Sequence, residues 1–163
     1  MPSRQKAKGN NFEREIAKHL SGVFDSNFER VPTSGAITGG LNSGVLDRLS
    51  KSQKLLLEGD LIPPDDLYNI KIECKHHKDF SFSKMFTVNK KLDDWIDQSK
   101  SDNFDKVWFL IFKINNKGSY VCCHETLLFD LSLANYLMYS DNIITPLDGF
   151  FEKNKETIAR LCS

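Results

Sequence analysis

Net charge is what this chain lacks first: 22 Lys and Arg balance 22 Asp and Glu among 163 residues. That excludes a protein that coats nucleic acid by bulk electrostatics, and it makes the placement of charge more informative than its sum. No apolar run is long enough to span a bilayer, and no signal-peptide core follows the polar start Met1-Pro2-Ser3-Arg4. The expectation is an intracellular protein with no membrane partner, cytoplasmic or nucleoid-associated and compatible with a virus-encoded product acting in its host. Cysteine is scarce too. Cys74, Cys122, Cys123 and Cys162 show neither C-x-x-C spacing nor zinc-ligand partners, which leaves buried or half-buried free thiols in a reducing compartment. Internal repeats and low-complexity tracts are absent.

What is present fits a globular chain, 40% hydrophobic and 27% charged, of a length suited to one domain with a sizeable core. The N-terminal third is basic through Arg4, Lys6, Lys8, Arg14, Lys18, Arg30, Arg48, Lys51 and Lys54, whereas acids gather later at Asp93, Asp94 and Asp97. A basic face on a neutral protein is compatible with DNA.

The most informative stretch runs from Leu57-Glu58-Gly59-Asp60-Leu61-Ile62 through a polar connection to Ile70-Lys71-Ile72-Glu73-Cys74-Lys75. It reads as two strands of a hairpin. Alternation places Ile70, Ile72 and Cys74 on one face and Lys71, Glu73 and Lys75 on the other. An apolar/charged strand of this kind is ordinarily a half-buried edge with a solvated face. Asp60 changes the balance: if the strands pair, it comes near Glu73, and two carboxylates beside an ammonium make a hard-cation site with a charged helper.

Upstream, Asn10 or Asn11 can cap a helix beginning at Phe12. At about 100° per residue, Phe12, Ile16, Ala17 and Leu20 share one arc, and Glu13 falls inside it while Arg14 and Glu15 do not. Glu13 either bends to solvent or meets a partner on the buried side. Phe28 to Gly35 reads as a short strand entering a turn, where Ser34 and Gly35 offer a hydroxyl and N–H groups to a phosphate or serve simply as a turn. Gly35, Gly39, Gly40 and Gly44 make a loop. Downstream, His76 and His77 point to opposite sides of a strand and do not chelate one ion; with Lys78 they extend the basic face. Asn89 caps a helix with Leu92, Trp95, Ile96 and Ser99 inward. Lys106–Ile114 is an interior strand, Asn115–Gly118 a hairpin turn, and Tyr120–Cys123 the return strand. Glu125–Tyr139 reads as an apolar-rich helix that packs in the core or meets a second subunit, and Phe150–Leu161 as a closing helix. The order implies an α/β (α+β) fold with a central mixed sheet flanked by helices.

Four short motifs occur in sequence: Gly9-x-x-Phe12-Glu13-Arg14, Arg30-x-Pro32-x-Ser34-Gly35, Gly59-Asp60 and Ile72-Glu73-Cys74-Lys75. With them the chain resembles the archaeal-type Holliday junction resolvases of the PD-(D/E)xK, restriction-endonuclease-like, nuclease superfamily. The resemblance covers residues 6–78 directly. It implies a metal-dependent endodeoxyribonuclease with a restriction-endonuclease-like core, acting as a homodimer on branched DNA without an organic cofactor. Asp60, Glu73 and the carbonyl of Cys74 would ligate Mg²⁺ or Mn²⁺, and Glu13 would complete the site directly or through water. Lys75 would position and help deprotonate the attacking water. Arg30 and Ser34 match positions near the scissile phosphate, and Arg14, Gly35, His76 and Lys78 would join them in contacting DNA.

The chain departs from that pattern in two ways. Gly59 replaces the motif's leading proline, and the longer spacing from Ser34 to Asp60 suggests an insertion at about 36–57, leaving Asp47 and Glu58 as rival carboxylates. A helical extension is expected over 125–163 of a single nuclease domain. Two other functions stay open: a repair or restriction-type nuclease acting on duplex DNA, and an inactive nuclease-like module that binds DNA or a protein.

Overall fold

The computed structural model describes residues 4–32, 48, 58–100 and 106–163. Helix α1 spans Arg4–Phe24, followed by short strands β1 (Glu29–Arg30) and β2 (Leu61–Ile62), then β3 (Ile70–His77) and helix α2 (Lys90–Ser99). Strands β4 (Val107–Ile114), β5 (Gly118–His124), β6 (Leu137–Tyr139) and β7 (Asn142–Pro146) complete the main sheet, and helices α3 (Phe150–Lys153) and α4 (Lys155–Cys162) close the chain. The sheet has the order β3-β4-β5-β7-β6; β3 and β4 are parallel and the other pairs antiparallel. This is the expected α+β architecture, a mixed sheet with helices on both faces.

Strand alternation sorts the core into two layers. On one face Phe109 and Ile111 of β4, Val121 and Cys123 of β5 and Ile143 of β7 pack with Phe12, Ile16 and Leu20 of α1 and Phe150, Phe151 and Ile158 of α3 and α4. On the other, Trp108, Leu110 and Phe112 of β4, Cys122 of β5 and Ile144 of β7 meet Leu92, Trp95 and Ile96 of α2. All four cysteines are buried free thiols. Among the described residues no helix is long and apolar enough to cross a membrane.

Three local readings need correction. Helix α1 begins at Arg4, so Asn10 and Asn11 lie inside it, and Asn10 Oδ1 accepts from Arg30 instead of capping. The second is the hairpin over 57–75: β2 pairs instead with β1, in the register Glu29↔Ile62 and Arg30↔Leu61. One backbone bond, Asp60 N–H to Ile72 C=O at 2.8 Å, ties that ribbon to β3. The third is the helix over 125–139, which is a 3₁₀ turn (Glu125–Phe129) and then strand β6. Its backbone groups are claimed from outside: Ser132 N–H donates to Asn154 Oδ1 (2.7 Å), Asn135 C=O accepts from Thr145 Oγ1 (2.7 Å), and Leu137 pairs with Ile144. An apolar-rich run without clear period is ambiguous between helix and strand, and here tertiary bonds decide it. The segment from 125 to the end is therefore mixed rather than helical throughout.

Candidate active site

The site forms where α1, the β1–β2 ribbon and the edge of β3 meet. Ile70, Ile72 and Cys74 face α1 as expected. The opposite face carries Lys71, Glu73, Lys75 and His77. Lys71 leaves the site: its Nζ donates to the carbonyls of Gln98 (2.9 Å) and Lys100 (2.7 Å) at the C-terminal end of α2, where a cation is favourable. Glu73 and Lys75 stay and pair with each other, Nζ to Oε1 at 2.7 Å.

β3 is an edge strand, so every second backbone group faces outward. Asp60 occupies that edge. Its N–H donates to Ile72 C=O and its Oδ2 accepts from Cys74 N–H at 2.8 Å, so the side chain completes what a neighbouring strand would otherwise supply. Farther along, Gln5 Nε2 donates to His76 C=O at 2.7 Å. The Ile72 and His76 carbonyls thus both point off the sheet, and by the period of two the Cys74 carbonyl between them does the same. Gly59 makes the approach possible: its φ is +87°, and a Cβ there would lie 2.6 Å from Ile72 O.

The ribbon places Arg30 beside Leu61 and bonds Val31 N–H to Asp60 C=O (2.9 Å). Arg30 Nε donates to Glu13 Oε2, and its Nη2 donates to Asn10 Oδ1 at 3.0 Å. Glu13 is only 7% exposed, so the helix geometry that singled it out is met by a guanidinium partner. Sequence reasoning missed the role of Asn10. Its spacing of three from Glu13 puts both on one helical face, the signal that could have found it.

Burial first, then the negative charge of Glu73 and more weakly that of Glu13, push the Asp60 carboxyl up to about 7, against the pull of the Cys74 N–H and Lys75. Burial also raises the Cys74 thiol, with Asp60, Glu73 and Glu13 adding to it, so that side chain stays neutral. Among the described residues no group of three or more His, Cys, Asp or Glu side chains could hold a metal ion. Asp60 and Glu73, whose charges act on each other, and the outward Cys74 carbonyl are hard oxygen donors of the kind that suits a divalent cation completed by water.

Other residues named from sequence fall elsewhere. Arg14 is exposed and donates to Asn11 Oδ1 (3.2 Å). His76 lies on the α1 side, 5.6 Å from the Phe12 ring and 2.9 Å from Asn115 Oδ1, while His77 packs on Trp95. Lys78 is exposed past the end of β3. Glu58, the rival carboxylate, pairs with Lys106 at 3.2 Å. Lys106 precedes the Ile70–Val107 pair and lies about 13 Å along the strands from Leu110, the partner of Glu73. Ser34, Gly35, Asp47 and, apart from Arg48, the insertion expected at 36–57 lie outside the described residues.

No curated protein and no solved structure matches the chain. One family model does, over residues 4–160, a range that takes in Glu13, Arg30, Asp60, Glu73 and Lys75. The chain belongs to the family described as "Phage putative PDDEXK endonuclease".

Proposed function

We propose that this member of an endonuclease family is a Mg²⁺-dependent (or Mn²⁺-dependent), structure-selective DNA endonuclease that nicks branched DNA such as four-way junctions. One observation carries the reading: Asp60 is clamped to the edge of β3 through Cys74 N–H, directly beside the Glu73–Lys75 pair. Asp60, Glu73 and the Cys74 carbonyl are the groups that would hold the ion. When bound, such an ion lowers the pKa of water and offsets charge on the phosphate. Lys75, its ammonium steadied by Glu73, would orient the attacking water and ease loss of its proton to solvent, from which the departing oxygen takes one up. The water oxygen bonds to phosphorus as the P–O bond to the leaving strand breaks. Arg30, held by Glu13 and Asn10, would offer its charge to the phosphate, and Glu13 would complete the ion's site directly or through water. Ser34 and Gly35 would add contacts to the phosphate, and Arg14, His76 and Lys78 would meet DNA farther out.

The resemblance to resolvases favours branched DNA and a homodimer, whose two sites would cut symmetry-related strands. Exposed apolar side chains in the C-terminal half, Phe129, Tyr136, Leu137 and Met138, are in keeping with a second subunit. We take the chain as one nuclease domain. The test is cleavage of a labelled four-way junction and its component duplex, with Mg²⁺ and with chelator. Paired nicks in the junction alone, lost with chelator, are expected. Equal cutting of the duplex would keep the nuclease and discard junction selectivity; no cutting beside tight junction binding would leave a binding module.

A further inference from the structure

A second charged surface lies beyond the C-terminal end of β3. The 3₁₀ turn Phe82–Phe86 and the start of α2 enclose an open groove of about 720 Å³, lined by Lys84, Lys90, Lys91 and Lys117 with Asp79 as the acid among its lining residues. In a chain of zero net charge, four lysines against one carboxylate is a local concentration. The acid one turn into α2, Asp93, is turned to Tyr139, whose hydroxyl donates to it at 2.7 Å.

The groove is built on a firm floor. Phe80 is buried and stacks on Trp95 with ring centres 5.9 Å apart, and Phe82 packs edge-on against Tyr120 under the Lys117 ammonium. At the end of the turn Phe86 projects into solvent, 94% exposed, and Val88 of the groove lining is 71% exposed. Phe86 thus presents a free aromatic face two residues from Lys84 of the groove.

His77, which packs on Trp95 of α2, links the groove's helix to the active site. His77 follows Lys75 by two residues on the same face of β3, about 7 Å along the strand. Its imidazole is lowered by burial first, then by Lys91 of the groove and Lys75 of the site, so both ammonium groups act on the ring between them.

We propose that this groove binds the phosphates of a DNA strand running from the active site, and that Phe86 stacks on a base that is unpaired there. Lysines supply sequence-independent attraction to phosphates, and an aromatic face accepts any unstacked base, the combination expected of single-stranded or branch-point DNA. The inference rests on the nuclease reading above and adds the element that would tell branched DNA from plain duplex.

The test is fluorescence anisotropy with the full-length chain carrying Glu73→Gln to suspend cleavage. The labelled probes are a single strand, its blunt duplex and a four-way junction. Lys84, Lys90, Lys91 and Phe86 are all exposed, so their replacement leaves the melting temperature unchanged. Combined Lys84→Ala, Lys90→Ala and Lys91→Ala should weaken binding of single strand and junction at least tenfold and reduce the salt slope by about 2. Phe86→Ala should cost roughly tenfold on single strand and junction and little on blunt duplex. Unchanged affinity and slope in both variants, with the Glu73→Gln parent binding normally, would overturn the groove and leave the nuclease reading intact; the surface would then suit an acidic protein partner. Failure of that parent to bind any DNA would overturn both.

Discussion

Asp60→Asn is expected to abolish cleavage and, in the absence of divalent metal, to make the protein more stable. Both effects come from one feature, a carboxylate held among other carboxylates in a buried place. Below pH 3.8 the carboxyl is protonated in folded and unfolded chains alike, so it costs nothing. Between 3.8 and about 7 the unfolded chain ionises while the folded one keeps its proton, and stability falls as pH rises. Above about 7 both forms are ionised and the penalty is constant, at most about 4 kcal/mol for a shift of that size. Asn retains an oxygen to accept the Cys74 N–H and carries no charge to repel Glu73. The stability gap between variant and wild type should therefore open from pH 4 to pH 7 and then level. Saturating Mg²⁺ should raise the melting temperature of the wild type and leave the variant where it was. Cleavage should fall by about a thousandfold or more, as expected when a charged group at the reacting centre is removed. A variant that melts below wild type at pH 7.5 without metal, or that cuts at a comparable rate, would contradict this account of Asp60.

Gly59→Ala should damage fold and activity together. At φ +87° an alanine is strained, and its Cβ would sit 2.6 Å from Ile72 O, a backbone atom that moves only if β3 moves. Strain of this kind costs about 1–3 kcal/mol before the clash is counted. Relief requires withdrawing Asp60 N–H from Ile72 C=O, which drags the carboxylate off the Cys74 N–H. A displacement of about 1 Å at a catalytic group is enough for a loss near a hundredfold. The expected result is a lower urea midpoint and cleavage reduced by about two orders of magnitude. Gly9→Ala is the control. Gly9 lies in α1, and an added Cβ meets only Glu13 Oε1 at 4.0 Å, so the change should stabilise the helix by up to about 1 kcal/mol. Equal behaviour of the two variants would show that Gly59 is not a special position.

Much of this site was legible because its residues obey local periods. The alternation along Ile70–Lys75 separated the core side chains from Glu73 and Lys75, and the helical arc picked out Glu13 against Glu15. Burial on both faces of β4 followed from its unbroken apolar run. What escaped were decisions made by distant partners. Lys71 has the same alternation as Glu73 and Lys75, yet it is drawn away by carbonyls of α2 some 27 residues on. The pairing of β2 with β1 joins segments separated by the whole stretch 33–57, and nothing in the local pattern announces it. Asn10 looked like a helix cap because the turns before it, rich in Lys and Gln, show little apolar period; its task is set by Arg30, 20 residues away.

The outer rim of β3 has a meaning apart from chemistry. An unpaired strand edge is a template on which another chain can add itself, and proteins guard such edges. Here the guards are two residues from elsewhere in the chain: Asp60 covers Ile72 and Cys74, and Gln5 covers His76. At the far side of the sheet the other rim is only the three residues of β6. Whatever keeps Asp60 in place thereby also covers this rim of the sheet against self-association.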